Sequence, residues 1–286
     1  MALGPNGLIL IIVATALVSL ATLVVLIRLY ARFVLARDPG IDDWCIIAAT
    51  ILTIGTLVSI DLGVSYGTGL RQRENSVDTA TLEKIRLSTQ LLYTISSGLI
   101  KLSICFLYRR LFPALHICVI VTVVFICGMT IAFFFTAIFQ CEPVGGIWSF
   151  GNPDTSHCID VSIFWCDVAV IYLLTDLWLV IMPMRTIYHL HASWKKKTAV
   201  IALLSSTGLI AGIAASIRLA FVIHLYKGRD PSWDSVPVYY CSVVELTTAM
   251  VASSIPPIRL IWRKRSRKGG VQVQTSHGRG SSLSSV

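Results

Sequence analysis

The chain alternates between long apolar blocks and short polar connections. A helix needs about 20 predominantly apolar residues to cross the hydrocarbon core of a bilayer. Seven blocks meet this requirement, at residues 8–27, 44–64, 88–111, 115–139, 161–184, 198–223 and 236–262. Because lipid tolerates no unsatisfied backbone groups, the pattern predicts an all-α polytopic membrane protein, a bundle of seven transmembrane helices.

The polar segments at the two ends divide the chain into three parts. Residues 1–7 form a short N-terminal segment ahead of the predicted bundle, which occupies residues 8–262. Residues 263–286 begin with a basic run and continue as a sequence rich in Ser and Gly. Such composition is typical of disorder, so this part is predicted to be a disordered tail.

The composition supports a membrane protein over a soluble one. Hydrophobic residues make up 55% of the chain and charged residues only 14%, which leaves too little polar surface for a soluble domain. The net charge of +9 does not indicate nucleic-acid binding. The basic residues stand in short clusters between the apolar blocks, where membrane topology places them.

The positions of Lys and Arg predict the orientation. With the N-terminus outside, most of the 24 Lys and Arg residues fall on the cytoplasmic side, as the positive-inside rule requires. The C-terminal tail is then cytoplasmic. We expect a multi-pass protein of the plasma membrane, with membrane lipids as its immediate partners.

Two of the eight cysteines lie in a predicted outer loop. Cys141 and Cys158 fall between the fourth and fifth spans, in a segment without Lys or Arg. An oxidising compartment favours disulfide formation. The sequence therefore predicts a disulfide between Cys141 and Cys158 that ties this loop down, the alternative being two unrelated thiols.

Two charged residues lie deep inside predicted spans. Lys101 in the third span and Asp176 in the fifth stand at similar depth, on the inner side of the midplane. Charged groups inside a membrane are costly and usually face a partner. We expect Lys101 and Asp176 to pair, either as a switch or only to hold helices together.

A second set of charges stands nearer the outer ends of the spans. It consists of one cation and three carboxylates, Arg218, Glu245, Asp61 and Asp167. Together they predict a polar, water-accessible outer cavity that contacts a ligand. The alternatives are a structural role for Arg218 and Glu245, and an interfacial position for Asp61 and Asp167.

The predicted inner loops are basic. Arg109 and Arg110 end the third span, and three consecutive lysines precede the sixth, Lys195, Lys196 and Lys197. In a receptor these loops face the cytoplasmic effector. We therefore predict that they form an effector face.

Catalytic and cofactor motifs are missing from the sequence. It contains no metalloprotease, hydrolase or P-loop motif, and its six His are in loops, at span ends and in the tail. A retinal Schiff base requires a lysine in the seventh span, and no lysine occurs between Lys227 and Lys264. We expect neither an enzyme nor a cofactor.

Several short motifs follow one another in order from about residue 25 to residue 262. They are Asp42-Asp43-Trp44, the glycine-rich segment from Gly63 to Gly69, the stretch from Tyr93 to Phe112, Phe139-Gln140-Cys141-Glu142-Pro143, Trp148, Cys158-Ile159-Asp160, Asp176 with Met182-Pro183, Gly208 with Arg218, Asp230-Pro231-Ser232-Trp233, Glu245 and Pro256-Pro257-Ile258-Arg259. In this order the chain resembles the fungal rhodopsin-like domain family of seven-helix membrane proteins. The resemblance implies a receptor-like protein, since some members are taken to be G-protein-coupled sensors of surface or nutrient cues.

Three functions are consistent with these features. The first is a seven-helix receptor that senses an unknown small-molecule or surface ligand and couples to a heterotrimeric G protein. The second is a transporter or channel for a small solute, with the intramembrane charges lining a path. The third is a membrane scaffold that does not signal. A cavity closed on the inner side favours the receptor.

Overall fold

The computed structural model describes residues 5–70, 79–142, 157–189, 212–225 and 231–277. These ranges contain seven α-helices: α1 Pro5–Tyr30, α2 Ile41–Ser65, α3 Thr79–Leu111, α4 His116–Ile138, α5 Val161–His189, α6 Gly212–Leu225 and α7 Pro231–His277. A π-helical segment, Ala31–Ala36, follows α1, and a 3₁₀ turn, Pro113–Leu115, precedes α4. Two short strands, β1 Cys141–Glu142 and β2 His157–Cys158, pair antiparallel.

The all-α membrane fold is confirmed. Six of the described helices are long and apolar enough to cross a membrane, because each contains one of the apolar blocks described above. The described part of the sixth predicted span is α6, a shorter apolar helix. The remainder of that span, residues 198–211, lies outside the described residues.

Two helices extend farthest beyond their apolar blocks. Helix α3 begins at Thr79 instead of residue 88, because hydropathy does not register the polar helix-forming turns that precede the apolar block. Helix α7 continues to His277, so the segment 263–277, predicted to be disordered, has a helical backbone. Lys and Arg are good helix formers, and the basic run therefore prolongs α7.

The bundle is arranged around α3, which packs against α2, α4, α5 and α7. Tyr93, Ile100 and Tyr172 belong to the main buried cluster at its centre. Large apolar side chains point away from the bundle, and Ile117 is 78% exposed. Exposed apolar side chains around a buried polar interior are the arrangement expected of a helix bundle in lipid.

A glycine turn joins the end of α2 to the start of α7. Gly67 and Gly69 have φ values of 112° and 89°, a region that L side chains rarely adopt. In this conformation the Gly67 carbonyl accepts a hydrogen bond from Ser232 Oγ at 2.8 Å. The Gly69 amide donates to the Ser232 carbonyl at 3.1 Å. The glycine-rich motif and the Asp230-Pro-Ser-Trp233 motif thus meet in space.

The two ends of the bundle are chemically different. At one end, which we call the disulfide end, β1 and β2 connect α4 to α5 and a disulfide joins Cys141 to Cys158. The predicted Cys141–Cys158 bridge is confirmed. At the opposite end, which we call the arginine–aspartate end, the last turn of α1 meets the first turn of α2.

Candidate ligand cavity and buried charge clusters

Three side chains from α3, α6 and α7 form a buried cluster in the half of the bundle nearer the disulfide end. The hydroxyl of Tyr93 donates a hydrogen bond to Glu245 Oε1 at 2.6 Å. Arg218 Nη1 donates to the Tyr93 hydroxyl at 2.5 Å and to Glu245 Oε2 at 3.2 Å. The Arg218 guanidinium carbon also lies 4.4 Å from the centre of the Tyr93 ring. The cluster therefore joins three helices through charge-assisted bonds and a cation–π contact.

A cavity lies above this cluster, toward the disulfide end. Its empty space amounts to about 630 Å³, including the open mouth. Arg218 and Tyr93 form part of its wall, and α2, α3, α5, α6 and α7 all contribute to it. The lining residues are Thr56, Ile60, Arg86, Thr89, Gln90, Tyr93, Trp165, Arg218, Val222, Leu225, Ser235, Val238, Tyr239 and Ser242.

Of the four charges predicted to form the outer cavity, only two come together. Arg218 lines the cavity, and Glu245 accepts a hydrogen bond from Arg218 below the cavity. Asp167 lies on the exposed face of α5, because the buried face of this helix carries Trp165 and Val168. Asp61 is half-buried on α2 and does not line the cavity. Depth along a span does not fix which way a helical residue faces, and neither aspartate lines this cavity.

The predicted partners Lys101 and Asp176 are in contact. Lys101 Nζ lies 2.9 Å from Asp176 Oδ1, and it also donates to Thr175 Oγ1 at 2.7 Å and to the Tyr172 carbonyl at 3.2 Å. The carboxylate, a hydroxyl and a main-chain carbonyl thus surround one ammonium group. Because Lys101 is buried, these contacts compensate for its loss of hydration.

Tyr172 stands between the two clusters. Its ring centre is 4.6 Å from Lys101 Nζ and 5.9 Å from the guanidinium carbon of Arg218. The ring also packs against Tyr93, with the two ring centres 5.9 Å apart. One aromatic side chain therefore contacts both Lys101 and Arg218.

Four charged side chains form a third cluster at the arginine–aspartate end. Arg28 Nε donates to Asp43 Oδ1 at 3.1 Å, and Arg28 Nη2 donates to Asp42 Oδ2 at 2.7 Å. Arg32 Nη2 donates to the same Asp42 oxygen at 3.2 Å. Arg28 has no exposed surface at all. Two cations and two carboxylates thus neutralise one another where α1 meets α2.

The arginine–aspartate cluster also holds α3 and α7. Ser103 Oγ on α3 donates to the main-chain carbonyl of Asp42 at 2.8 Å. Arg28 Nη1 donates to the main-chain carbonyl of Ser253 on α7 at 2.8 Å. That carbonyl would normally accept from the amide of residue 257, but Pro257 has no N–H. Arg28 therefore supplies the hydrogen bond that the proline removes.

The arginine–aspartate cluster was missed by the sequence analysis. In the sequence, Arg28 and Arg32 are basic residues at a span end, where they set topology, and Asp42 and Asp43 are part of a motif. The signal that could have found them is their spacing. Two arginines four residues apart end one span on one helical face, and two adjacent acids open the next.

The predicted effector face is described only in part. Arg109 and Arg110 are exposed at the end of α3, and Arg110 forms an ion pair with Asp38 in the turn between α1 and α2. Lys195, Lys196 and Lys197 lie outside the described residues. Within the described ranges, no group of three His, Cys, Asp or Glu side chains is arranged to hold a metal ion.

Comparison with known proteins places these features in a family. Residues 27–264 match the fungal rhodopsin domain, and this match includes all three buried clusters and the cavity. A SAT4 family membrane protein from Emericella nidulans is 27% identical over 223 residues, covering 76% of this chain and 56% of the relative. No solved structure matches the chain.

Two other relatives carry names that refer to biosynthetic gene clusters. The polyenoic acids biosynthesis gene cluster protein Ba17b of Metarhizium anisopliae is 24% identical over 272 residues, covering 89% of this chain and 72% of the relative. Fugralins biosynthesis cluster protein 2 of Gibberella zeae is 29% identical over 125 residues, covering 44% of this chain and 31% of the relative. The chain therefore spans just over half of the SAT4 relative and about a third of the Gibberella protein.

Proposed function

Since the chain belongs to the fungal rhodopsin domain family, we propose that this membrane protein is a seven-helix receptor that senses a small molecule and couples to a heterotrimeric G protein. In the proposed orientation the disulfide end faces outward from the plasma membrane and the arginine–aspartate end faces the cytoplasm. The distribution of Lys and Arg and the disulfide both support this orientation.

One observation carries the proposal. The cavity has its floor on Tyr93 and Arg218, and these residues join α3, α6 and α7 through Glu245. A molecule bound in the cavity and contacting Arg218 changes the balance of contacts among three helices. Differential contact of this kind is what a ligand needs in order to shift a conformational equilibrium.

The inner half of the bundle supports a receptor over an open path. Below the cavity, Tyr172, Lys101 and Asp176 are packed together. At the arginine–aspartate end, Arg28 is fully buried among its partners. Exposed Arg109 and Arg110 at the end of α3 give that end a basic surface for an effector.

The relatives support a small organic molecule as the cue. One is named for a polyenoic acids gene cluster and another for a fugralins cluster. A sensor whose relatives are connected with metabolite gene clusters would suit a metabolite better than a protein ligand.

The proposal is tested by measuring proximity to Gα subunits in living cells. The receptor and each Gα subunit carry the two halves of an energy-transfer pair, and wild type is compared with Asp176→Asn. We expect a signal specific to one Gα subunit that changes in Asp176→Asn, because this variant breaks the contact with Lys101.

Asp167→Asn is the matched control. It makes the same substitution in the same helix, at an exposed position, and should leave the signal at the wild-type level. The proposal fails if wild-type protein at the cell surface gives no more signal with any Gα than an unrelated plasma-membrane protein does.

A transporter is the second candidate. The specific observation in its favour is that two buried ion pairs, Arg218–Glu245 and Lys101–Asp176, lie at successive depths beside Tyr172. Accumulation of a labelled solute by wild-type cells, abolished by Lys101→Met, would support transport. The receptor proposal expects no accumulation above that of cells lacking the protein.

A further inference from the structure

The cavity has two buried hydrogen-bond donors without a partner. Among the described residues, Arg218 Nε and Trp165 Nε1 have no hydrogen-bonding partner, although both side chains line the cavity. Each of these residues is only 5% exposed. Buried polar atoms in folded proteins are nearly always bonded, so a ligand acceptor would be most favourable beside these two N–H groups, although neighbouring protein atoms cover both nitrogens.

The chemistry of the two donors restricts the ligand. A guanidinium and an indole N–H can donate but cannot accept. The ligand must therefore bring acceptor atoms to this part of the cavity. An ammonium group, which can only donate, would leave both N–H groups unsatisfied.

The guanidinium groups of the lining favour an anionic acceptor over a neutral one, because charge-assisted hydrogen bonds are the stronger ones. Two of the described lining residues are arginines, Arg86 and Arg218, and none is acidic. Glu245 forms an ion pair with Arg218 from beneath the cavity floor. Glu83 forms an ion pair with Arg86. Hydrogen bonds from guanidinium groups are strongest to carboxylates and phosphates.

The remaining wall is suited to an apolar body. Ile60, Val222, Leu225 and Val238 contribute aliphatic surface to the same cavity. Ligand sites of this kind are mainly apolar with a few polar groups that fix orientation. A carboxylate with a hydrocarbon chain meets both requirements, whereas a phosphate or a sugar has no apolar part to cover this wall.

We propose that the cavity binds a small carboxylic acid, with its carboxylate oxygens on Arg218 Nε and Trp165 Nε1 and its hydrocarbon body against Ile60 and Val222. This inference deepens the proposed function, on which it rests, by naming the ligand class of the sensor. Trp165 is then a specificity-determining residue on α5, in the same cavity wall as Arg218 on α6.

The test uses the purified full-length chain in detergent, with octanoate as the probe and octanamide of equal chain length as its neutral counterpart. Dissociation constants are measured by calorimetry and checked by the shift in thermal unfolding. We expect octanoate to bind and to raise the unfolding temperature, with octanamide at least about tenfold weaker because it lacks the charge. Equal affinity for the two, or no binding of octanoate to folded protein, overturns the proposal.

Trp165→Phe tests the contact itself. Phenylalanine keeps the aromatic surface but removes the N–H, so octanoate affinity should fall by about tenfold. Trp165 belongs to the buried core and phenylalanine is smaller, so some loss of stability is expected in either case. A purely structural role for Trp165 predicts this loss with unchanged octanoate affinity.

Trp178→Phe is the matched control on the same helix. Its indole N–H donates to Thr122 Oγ1 at 3.1 Å, away from the cavity, so octanoate affinity should stay at the wild-type value. Loss of affinity in both variants alike would overturn the assignment of Trp165. Binding of octanoate without any Gα signal would refute the receptor function while leaving the ligand class intact, so the two failures are distinguishable.

Discussion

Arg28 on α1 donates a hydrogen bond to the main-chain carbonyl of Ser253 on α7, at 2.8 Å. The carbonyl lies one helical turn before Pro257, which has no N–H to offer it. The same guanidinium binds Asp42 and Asp43 at the start of α2. One side chain thus compensates for the proline and joins three helices.

Removal of Arg28 should strongly destabilise the protein. Arg28→Met leaves the buried carboxylates of Asp42 and Asp43 with only Arg32, and breaking a buried ion pair costs about 3–5 kcal/mol. The free energy of unfolding is measured by titration with SDS in mixed micelles. Arg109→Gln, at an exposed position, should change it by no more than about 0.5 kcal/mol. A stable Arg28→Met protein would contradict the cluster.

Pro257→Ala should reduce the contribution of Arg28 to the free energy of unfolding. Alanine supplies the amide that Ser253 lacks, so the cost of Arg28→Met should fall by about 1 kcal/mol in this background, the value of one hydrogen bond. Pro256→Ala is the control, because its new amide faces the carbonyl of Ala252 instead. Equal coupling for the two prolines would show that the Arg28–Ser253 bond is not the cause.

The Lys101–Asp176 pair predicts a rescue. Asp176→Asn leaves the buried Lys101 ammonium without its counterion, and we expect a loss of about 3–5 kcal/mol. Adding Lys101→Met removes the uncompensated charge and should recover most of that loss. Unfolding in mixed micelles measures both variants, with Asp167→Asn as the exposed control on α5. A double variant less stable than Asp176→Asn would argue against the pairing.

The disulfide provides a test of orientation. In intact cells, a membrane-impermeant reductant should make Cys141 and Cys158 accessible to an impermeant maleimide, because the disulfide end is proposed to face outward. Cys141→Ser should also lower the free energy of unfolding by about 2–4 kcal/mol. Cys241→Ser, in α7, should leave the labelling unchanged. Labelling that appears only after cell lysis would reverse the proposed topology.

The glycine turn after α2 should be intolerant of alanine. Gly69 has a φ of 89°, and a Cβ there would lie 3.3 Å from Val236 Cγ2. The strain of a left-handed L residue should lower the free energy of unfolding by about 1–2 kcal/mol. Gly128→Ala in α4 should be neutral or stabilising by up to about 1 kcal/mol, since nothing lies within 4 Å of the added methyl. Equal effects would show that the φ value does not matter.

Some contacts could be predicted from the sequence because one physical argument sufficed. Lys101 and Asp176 are isolated charges at similar depth in apolar spans. No other charge of opposite sign is predicted at that depth. Cys141 and Cys158 stand together in one loop without basic residues. In both cases, few competing partners remained.

Other contacts could not be predicted because they depend on how each helix is rotated and on where it ends. Asp167 and Trp165 are two positions apart on α5, yet only Trp165 lines the cavity. Arg28 is a basic residue at a span end, and its burial depends on α1 continuing beyond its apolar block into the π-helical segment. A hydropathy profile shows neither how a helix is rotated about its axis nor that α1 continues beyond its apolar block.

Tyr172 has a consequence for how the two halves of the protein communicate. One ring lies 4.6 Å from Lys101 Nζ and 5.9 Å from the guanidinium carbon of Arg218, and it therefore provides a direct physical contact between the two clusters. If occupancy of the cavity alters affinity for a cytoplasmic partner through this ring, that partner must alter affinity for the cavity ligand by the same factor. If the proposed receptor function holds, the shared tyrosine makes reciprocity between the two faces of the membrane a measurable property.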